Sequence, residues 1–195
     1  DKDPEVVERI NTVLYHALIE KNLNKEFEKI SVSDDEAKTF YSKNPEVRTS
    51  HIFAAVRPDA SSEVAKKAYD KIKKVQDEFL KDGKMSFSEI AQRYSEGVAA
   101  PMGGDIDYQS RDKLDPTYYE TAVALKSPGK VSSIVRTQFG YHIIKLTAIR
   151  PWEEVDKSLV KRALVEEKKN QVFDKYMDLL KQKSKVTVKT DLLSP

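Results

Sequence analysis

The sequence predicts an α+β protein in which a segment of mixed strands and helices lies between two helical segments. Three observations lead to this prediction. Apolar residues recur at helical spacing over the first part of the chain, the spacing changes to two near Val47, and it becomes helical again after Pro151. We therefore divide the 195 residues into segments 1–46, 47–150 and 151–195. This length is sufficient for two small domains, each with a buried core.

The composition excludes several classes of protein. Lys and Arg number 34 and Asp and Glu number 32, so the formal charge of +2 gives no strong positive field for nucleic acid or an anionic membrane. The absence of cysteine excludes disulfides, thiolate nucleophiles and cysteine-ligated metals. No apolar run reaches the roughly 18 residues of a membrane span, so we expect a soluble chain. The chain begins at Asp1 without a methionine or an apolar signal core, which is typical of an excised fragment.

The first segment contains two predicted helices. Asp3 followed by Pro4 is a typical helix start, and helical spacing of apolar residues follows it. Ser33 and Glu36 form a capping-box pattern that begins a second helix. Pro45 then ends this helix.

Residues 30–32 and 186–188 alternate between apolar and polar side chains, as short strands do. Neither stretch is long enough to be stable alone, so we expect the two to pair with each other. This pairing joins the outer segments into one helical module, into which the middle segment is inserted.

The middle segment predicts the order strand, helix, helix, strand, helix, strand, strand. The predicted strands are residues 48–56, a short piece after the turn 102–105, and a hairpin of residues 131–137 and 141–149. The helix starts are Ser61 or Ser62, the capping box from Ser86 to Glu89, and Asp115.

A long charged helix is predicted from about Trp152 to Lys183. An apolar stripe follows one side of this helix and is interrupted at residues 166–170. We expect the stripe to cover the first helix of the same chain, and the alternative is that it serves as a dimerisation arm.

His51 and His142 are the candidate functional residues of the middle segment. Each lies on a predicted strand and shares its face with apolar neighbours. Histidines in such places are often hydrogen-bonded core residues, and a functional role is the alternative. A metal site needs a third ligand at a matching spacing, and the sequence offers none, so we expect neither metal nor cofactor.

Four motifs, in this order and at this spacing, resemble the parvulin type of peptidyl-prolyl isomerase. They are residues 49–53 (TSHIF), 87–95 (FSEIAQRYS), 103–106 (GGDI) and 135–146 (VRTQFGYHIIKL). The flanking helices resemble those of SurA- and PrsA-like extracytoplasmic foldases, in which such a domain is inserted into a helical chaperone module. The resemblance implies a parvulin-like (FKBP-like) fold, an antiparallel four-stranded sheet surrounded by helices.

The resemblance also implies the residues of a site. The catalytic candidates are His51 and His142 as a central pair, with Glu96 and Gly97. The substrate-binding candidates are Leu114 and Tyr118 as walls of the proline pocket, Phe139 at its rim, and Ile106. Parvulins commonly have Cys or Asp beside the substrate carbonyl, where this chain has Gly97. A second departure is Asp107, at a position where the family pattern has glycine.

We therefore predict a peptidyl-prolyl cis-trans isomerase and foldase that acts on X-Pro bonds of unfolded extracytoplasmic proteins without covalent chemistry. The alternative is a catalytically lapsed domain that binds peptides within a holdase chaperone. Gly97 favours this alternative, because it replaces the Cys or Asp that the family commonly has there. The expected partners are extended polypeptides that contain proline, together with a homodimer through the terminal helices, and neither nucleic acid nor a membrane span. The resemblance alone implies the periplasm or another extracytoplasmic compartment.

Overall fold

The computed structural model describes residues 3–80 and 82–184. The chain divides into two compact units. The described residues of 41–155 form one, here called the sheet unit, and those of 1–40 and 156–195 form the other, here called the terminal unit. The sheet unit is slightly longer at both ends than the predicted segment 47–150.

Four antiparallel strands form the sheet. They are β1 (Val47–Ala55), β2 (Asp105–Gln109), β3 (Val135–Thr137) and β4 (Gly140–Ile149). Their spatial order is β2-β1-β4-β3, so the two long strands lie in the centre. The predicted α+β class, with its antiparallel four-stranded sheet, is confirmed.

Six α-helices occur in the described residues. They are α1 (Pro4–Phe27), α2 (Asp34–Lys43), α3 (Ser62–Val75), α4 (Phe87–Tyr94), α5 (Pro116–Ala124) and α6 (Lys157–Lys183). Both predicted capping boxes are confirmed, since Glu36 N lies 3.2 Å from Ser33 Oγ and Glu89 N lies 3.2 Å from Ser86 Oγ. In each, the Glu carboxylate accepts from the backbone N–H of the Ser. α3 passes into a π-helical turn, Gln76–Leu80.

Side chains of the central strands alternate between two cores. One core is packed by α3 and α4 and contains Ile52, Ala54, Ile72, Val75, Phe87, Ile90, Ala91 and Ile143. The other is packed by α5 and contains Val47, Tyr118, Tyr119, Ala122, Ile144 and Leu146. His142 lies two residues from Ile144, and Ile144 pairs with His51, so both histidines point to the α5 side.

In the terminal unit, the described contacts of α6 reach residues of α1 and α2. Lys168 Nζ lies 2.6 Å from Glu36 Oε1, and Asn22 Nδ2 donates to Tyr176 Oη at 3.0 Å. The contact at Asn22 is near the C-terminal end of α1. Earlier on α1, Val13 is 67 % exposed and Leu14 is 60 % exposed. The expectation that the apolar stripe of the last helix covers the first helix is therefore wrong for this part of α1.

The last helix begins later than predicted because Asp156 caps it. The Asp156 carboxylate accepts from Ser158 N at 2.9 Å, and Trp152–Glu154 forms a separate 3-10 turn. The expected pair of strands at 30–32 and 186–188 lies partly outside the described residues, because 186–188 belong to the part that is not described. Within residues 3–80 and 82–184, none of the helices has the length and hydrophobicity that a membrane crossing requires.

Candidate active site

The sheet register brings the two histidines together. β1 and β4 pair so that His51 lies opposite Ile144 and His142 lies opposite Phe53. The histidines are therefore diagonal neighbours on one face of the sheet. Their Nδ1 atoms are 3.3 Å apart, and their ring centroids are 5.4 Å apart.

A threonine on β3 continues the hydrogen bonding from His142. Thr137 Oγ1 lies 2.8 Å from His142 Nε2, and Phe139 N donates to the same oxygen at 3.2 Å. Thr137 is buried, with 5 % of its surface exposed. Thr137, His142 and His51 thus form one chain of hydrogen bonds across the sheet.

Both histidines are uncharged at neutral pH. Burial lowers the pKa of His51 to about 4, and burial together with the neighbouring His51 lowers the pKa of His142 to about 4. Only one proton can lie between the two facing Nδ1 atoms. The tautomers of the two rings are therefore coupled, and each ring fixes the proton position of the other.

Tyr118 packs edge-on against both histidines. Its ring centroid lies 5.7 Å from that of His51 and 5.4 Å from that of His142. The hydroxyl is hydrogen-bonded to Thr49 Oγ1 at 3.0 Å, and burial raises the pKa of the phenol above its ordinary value. The Asp115 side chain caps α5 and accepts from Tyr118 N, which fixes where this ring enters the core.

Phe53 completes the aromatic cluster. Its ring stacks on His142 with centroids 4.6 Å apart, and lies 5.9 Å from His51 at an angle of 8°. Aromatic rings thus pack against both imidazoles and remove water from them, and this burial is the main cause of their lowered pKa values.

Three of the four predicted pocket residues pack in one core, and the fourth, Phe139, is exposed. Leu114 and Ile106 are half-buried and pack against the same core as Tyr118. Phe139 lies in the turn between β3 and β4 with 57 % of its surface exposed, although its N–H bonds to Thr137. One apolar cluster therefore contains Leu114, Ile106 and Tyr118. Phe139 is outside this cluster and is linked to the site through the bond from its N–H to Thr137.

Gly97 and Glu96 occupy different sides of one loop. A Cβ atom on Gly97 would lie 3.1 Å from His51 Nε2, so the glycine directly faces the outer nitrogen of this histidine. The Glu96 carboxylate instead accepts from Ala55 N at 2.7 Å and pairs with Lys71 Nζ. Gly97, rather than the predicted acid Glu96, is therefore the loop residue that meets the histidine pair.

The turn that precedes β2 contains two glycines with positive φ, Gly103 and Gly104. Gly104 has a φ of +79°, and a Cβ there would lie 2.2 Å from the carbonyl oxygen of His51. This close approach lets the His51 N–H donate to Gly104 O at 2.9 Å. Asp107, the departure from the family pattern, has a φ of 59°, a left-handed conformation that aspartate tolerates.

Sequence reasoning placed Phe53 on the face of His51 and missed two neighbours of the site, Thr49 and Thr137. Thr49 and Phe53 lie two positions on either side of His51, and the period of a strand was the signal that marks them. Thr137 is on a different strand, and the pairing of Thr137 with Gly140 that brings it to His142 depends on the hairpin register.

The fold and the site together define an α+β domain in which the aromatic rings of Tyr118 and Phe53 pack against two neutral, hydrogen-bonded imidazoles. A protein-family model of the PPIC-type PPIase domain (rotamase) matches residues 51–148, and the chain belongs to this family. The family that the four motifs predict is therefore confirmed.

Relatives with the name foldase protein PrsA match most of the chain. One from Clostridium botulinum (strain Loch Maree) is 33 % identical over 180 residues, which cover 88 % of this chain and 51 % of the relative. Foldase protein PrsA 1 from Bacillus cereus is 36 % identical over 165 residues, with coverage of 83 % and 51 %. The chain thus spans about half the length of the curated relatives it matches.

The fold is also similar to that of a solved relative. The crystal structure of the peptidylprolyl isomerase PrsA from Bacillus cereus aligns with a TM-score of 0.50 and 22 % sequence identity. The alignment covers 97 % of this chain and 77 % of that one.

Proposed function

We propose that this chain is a peptidyl-prolyl cis-trans isomerase that acts as a foldase on extended, proline-containing polypeptides. The observation that carries the proposal is the neutral His51–His142 pair, enclosed by Tyr118 and Phe53 and bonded to Thr137. Such a site suits a reaction in which no proton is transferred and no bond to the protein forms.

The reaction is a rotation about the bond between a residue and the following proline. Amide resonance gives this rotation a barrier of roughly 18–20 kcal/mol, and the uncatalysed process takes tens to hundreds of seconds. Millisecond turnover requires about 10⁴-fold acceleration, or roughly 5–6 kcal/mol of selective stabilisation. A dry surface that favours the twisted amide over the planar amide is sufficient for this.

Each part of the site has a role in this proposal. Leu114, Ile106 and Tyr118 bind the proline ring and remove water from it, and Phe139 contacts the substrate at the rim. His51 and His142 orient polar contacts around the amide and act neither as nucleophile nor as base. Glu96 holds the loop that carries Gly97 through its bonds to Ala55 and Lys71.

The proposal extends to the rest of the chain. Segment 47–150 carries the isomerase, and segments 1–46 and 151–195 form the helical module. The name foldase in the relatives supports unfolded polypeptides as clients. The proposed extracytoplasmic location, such as the periplasm, rests on the resemblance to SurA- and PrsA-like foldases. The exposed apolar residues of α1 support a homodimer through the terminal helices.

A second candidate is a holdase in which the isomerase site has lapsed. The observation in its favour is Gly97, since no side chain reaches from this loop toward the place beside His51. In this case the domain binds proline-containing segments and does not accelerate their rotation.

The discriminating experiment measures cis-to-trans relaxation of a short proline peptide with wild-type protein and single variants. We expect wild-type protein to accelerate relaxation in proportion to its concentration, and His51→Ala to lose most of this effect. His16→Ala is the matched control, because His16 lies on α1 outside the sheet unit. Wild-type rates equal to those in buffer would contradict isomerase activity and favour the holdase, whose suppression of client aggregation is then measured.

A further inference from the structure

The loop that follows α4, here called the α4 loop (residues 95–99), is fixed to the end of β1. Phe53 N donates to Ser95 Oγ at 3.0 Å, and Glu96 N donates to Phe53 O at 2.8 Å. The Glu96 carboxylate also accepts from Ala55 N at 2.7 Å. These three bonds give the α4 loop a defined position beside the strand that carries the first histidine of the site.

The turn between β3 and β4 is bonded to the same end of β1. Val56 N donates to Phe139 O at 2.9 Å. The Phe53 side chain lies next to both segments, because a Cβ on Gly140 would lie 3.0 Å from its Cε2 atom and a Cβ on Gly97 would lie 3.7 Å from its Cβ atom. The α4 loop and the turn thus meet at a ring that belongs to the aromatic cluster of the candidate site.

Exposed apolar side chains continue from this ring toward solvent. Val98 in the α4 loop is fully exposed, and Phe139 in the turn is more than half exposed. Ala55, the last residue of β1, is also exposed, and alternation places it on the same face as Phe53 and His51. We call Ala55, Val98 and Phe139 the outer apolar surface, which borders the candidate site.

Two ion pairs flank the outer apolar surface. Arg57 Nε lies 3.2 Å from Asp59 Oδ1, and the Glu96 carboxylate pairs with Lys71 Nζ. Arg136 on β3 points to the opposite face of the sheet, where its guanidinium lies over a tyrosine ring. The charges of each pair cancel, so this surface has no net positive field for an acidic or phosphorylated side chain. An apolar side chain is the ligand that fits it.

We propose that the outer apolar surface binds an apolar side chain next to the proline of a client polypeptide, so that such clients are preferred over acidic or phosphorylated ones. This inference rests on the proposed function, because the proline ring itself binds at Tyr118 and Leu114. The α4 loop is already held to β1, so binding there orders little additional chain and costs little conformational entropy.

Peptides that differ in one residue test the proposal with the full chain. Two series carry leucine, glutamine or glutamate, one series directly before proline and the other directly after it. We expect kcat/KM for leucine to exceed that for glutamate by about tenfold in at least one series, which is the lower end of the range for a small apolar contact. Equal values in both series, or a preference for glutamate, would overturn the inference and leave the isomerase proposal standing.

Opposite charges at position 98 distinguish a direct contact from a general effect on the fold. Val98→Lys should raise kcat/KM for the glutamate peptide by about two- to fivefold, the range for an exposed ion pair, and lower it for the leucine peptide. Val98→Asp should lower both. A leucine-to-glutamate ratio in Val98→Lys equal to that of wild type would contradict the contact.

Val131→Lys is the matched control for these variants. Val131 is 41 % exposed and lies beside Lys145, toward the other end of β4 from the turn. Its leucine-to-glutamate ratio should stay within about twofold of wild type, because an exposed substitution at a distance from the peptide leaves the contact intact. A ratio that changes as much as in Val98→Lys would show a general charge effect and overturn the inference.

Methyl NMR with labelled valine gives a readout that is independent of turnover. We expect the Val98 signals to shift with the leucine peptide, to shift less with the glutamate peptide, and the Val131 signals to stay in place. Val98 signals that the leucine peptide leaves unchanged would overturn the inference. Signals that move on dilution of the protein alone would assign the surface to a second copy of the chain and also overturn it. Wild-type protein without catalytic activity overturns the isomerase proposal, and the Val98 shifts then decide whether the surface binds the peptide.

Discussion

The sheet unit and α1 both carry apolar residues at regular spacing, yet these residues are buried in the sheet unit and largely exposed on α1. Ile143 and Ile144 on β4 have no exposed surface, whereas Ile10 on α1 is 51 % exposed and Val13 is 67 % exposed. In the sheet unit, strands and helices of one continuous segment cover one another. On α1, only the C-terminal end near Leu23 is covered among the described residues.

This difference shows what a hydrophobic pattern determines. The pattern identifies which face of an element is apolar, but it does not identify what covers that face. In the sheet unit the covering elements follow within the same segment, so this core holds the histidine pair, with His142 buried and His51 half-buried. Among residues 3–80 and 82–184, the apolar face of α1 stays largely exposed before Leu23, and the proposed homodimer would use this face.

Substitution of a tyrosine in each region gives the largest expected contrast. Tyr118→Ala removes a ring that is 4 % exposed and touches both histidines, so we expect a loss of about 3–5 kcal/mol in the free energy of unfolding. Tyr15→Ala on α1 removes a ring that is 43 % exposed, and the free energy of unfolding should change by less than about 0.5 kcal/mol. Urea unfolding measures both, and equal losses would contradict the contrast.

Removal of the Thr137 hydroxyl is expected to have an intermediate effect. Thr137→Val leaves His142 Nε2 without its hydrogen-bond partner, which lowers the free energy of unfolding by about 1–3 kcal/mol. The two rings can then adopt either tautomer. Thr147→Val, on the exposed side of β4, is the matched control and should be nearly neutral. Thermal melting and histidine NMR check this prediction, and a wild-type tautomer in Thr137→Val would contradict it.

The histidine pair should also make stability depend on pH. Both rings have folded pKa values of about 4, below the ordinary 6.5. Above pH 6.5 both states are neutral, and as pH falls from 6.5 toward 4 the unfolded chain binds protons that the folded chain does not. The free energy of unfolding should therefore decrease through this window, as measured by urea titrations at pH 7 and 5.

His16 provides the control for the pH experiment. His16→Ala should retain the decrease between pH 7 and pH 5, because His16 is outside the buried pair. A His51→Gln variant should show a smaller decrease. The same decrease in His51→Gln as in wild type would show that other groups cause it.

The smallest effect on folding is expected from a charge on α1. Leu14→Asp, at a position that is 60 % exposed, should change the free energy of unfolding by less than about 0.5 kcal/mol. It should also weaken self-association, which light scattering over a series of protein concentrations detects. Wild-type protein that remains monomeric throughout the series would contradict the proposed homodimer.

Local sequence signals predicted much of the fold. The capping boxes at Ser33 and Ser86 specify helix starts through bonds between residues three positions apart, and the structure has both. The strands follow from alternation, which also places Phe53 on the same face as His51. The π-helical turn at residues 76–80 and the helix start at Lys157 were not predicted.

The contacts that define the site required more than local signals. Thr137 reaches His142 only because β3 and β4 pair in one register, and alternation alone does not set that register. The direction of the Glu96 side chain, toward Lys71 and Ala55, depends on how α3 lies against β1. The motifs therefore identified the histidine pair, while the atoms around it became known only from the three-dimensional arrangement.

The most direct test of the neutral histidine pair is the isomerisation of a proline peptide followed by exchange NMR at pH 7.5 and at pH 5.5. With ring pKa values of about 4, the same acceleration should occur at both pH values. No acceleration at either pH, or a loss of activity with a midpoint near pH 6.5, would contradict the account.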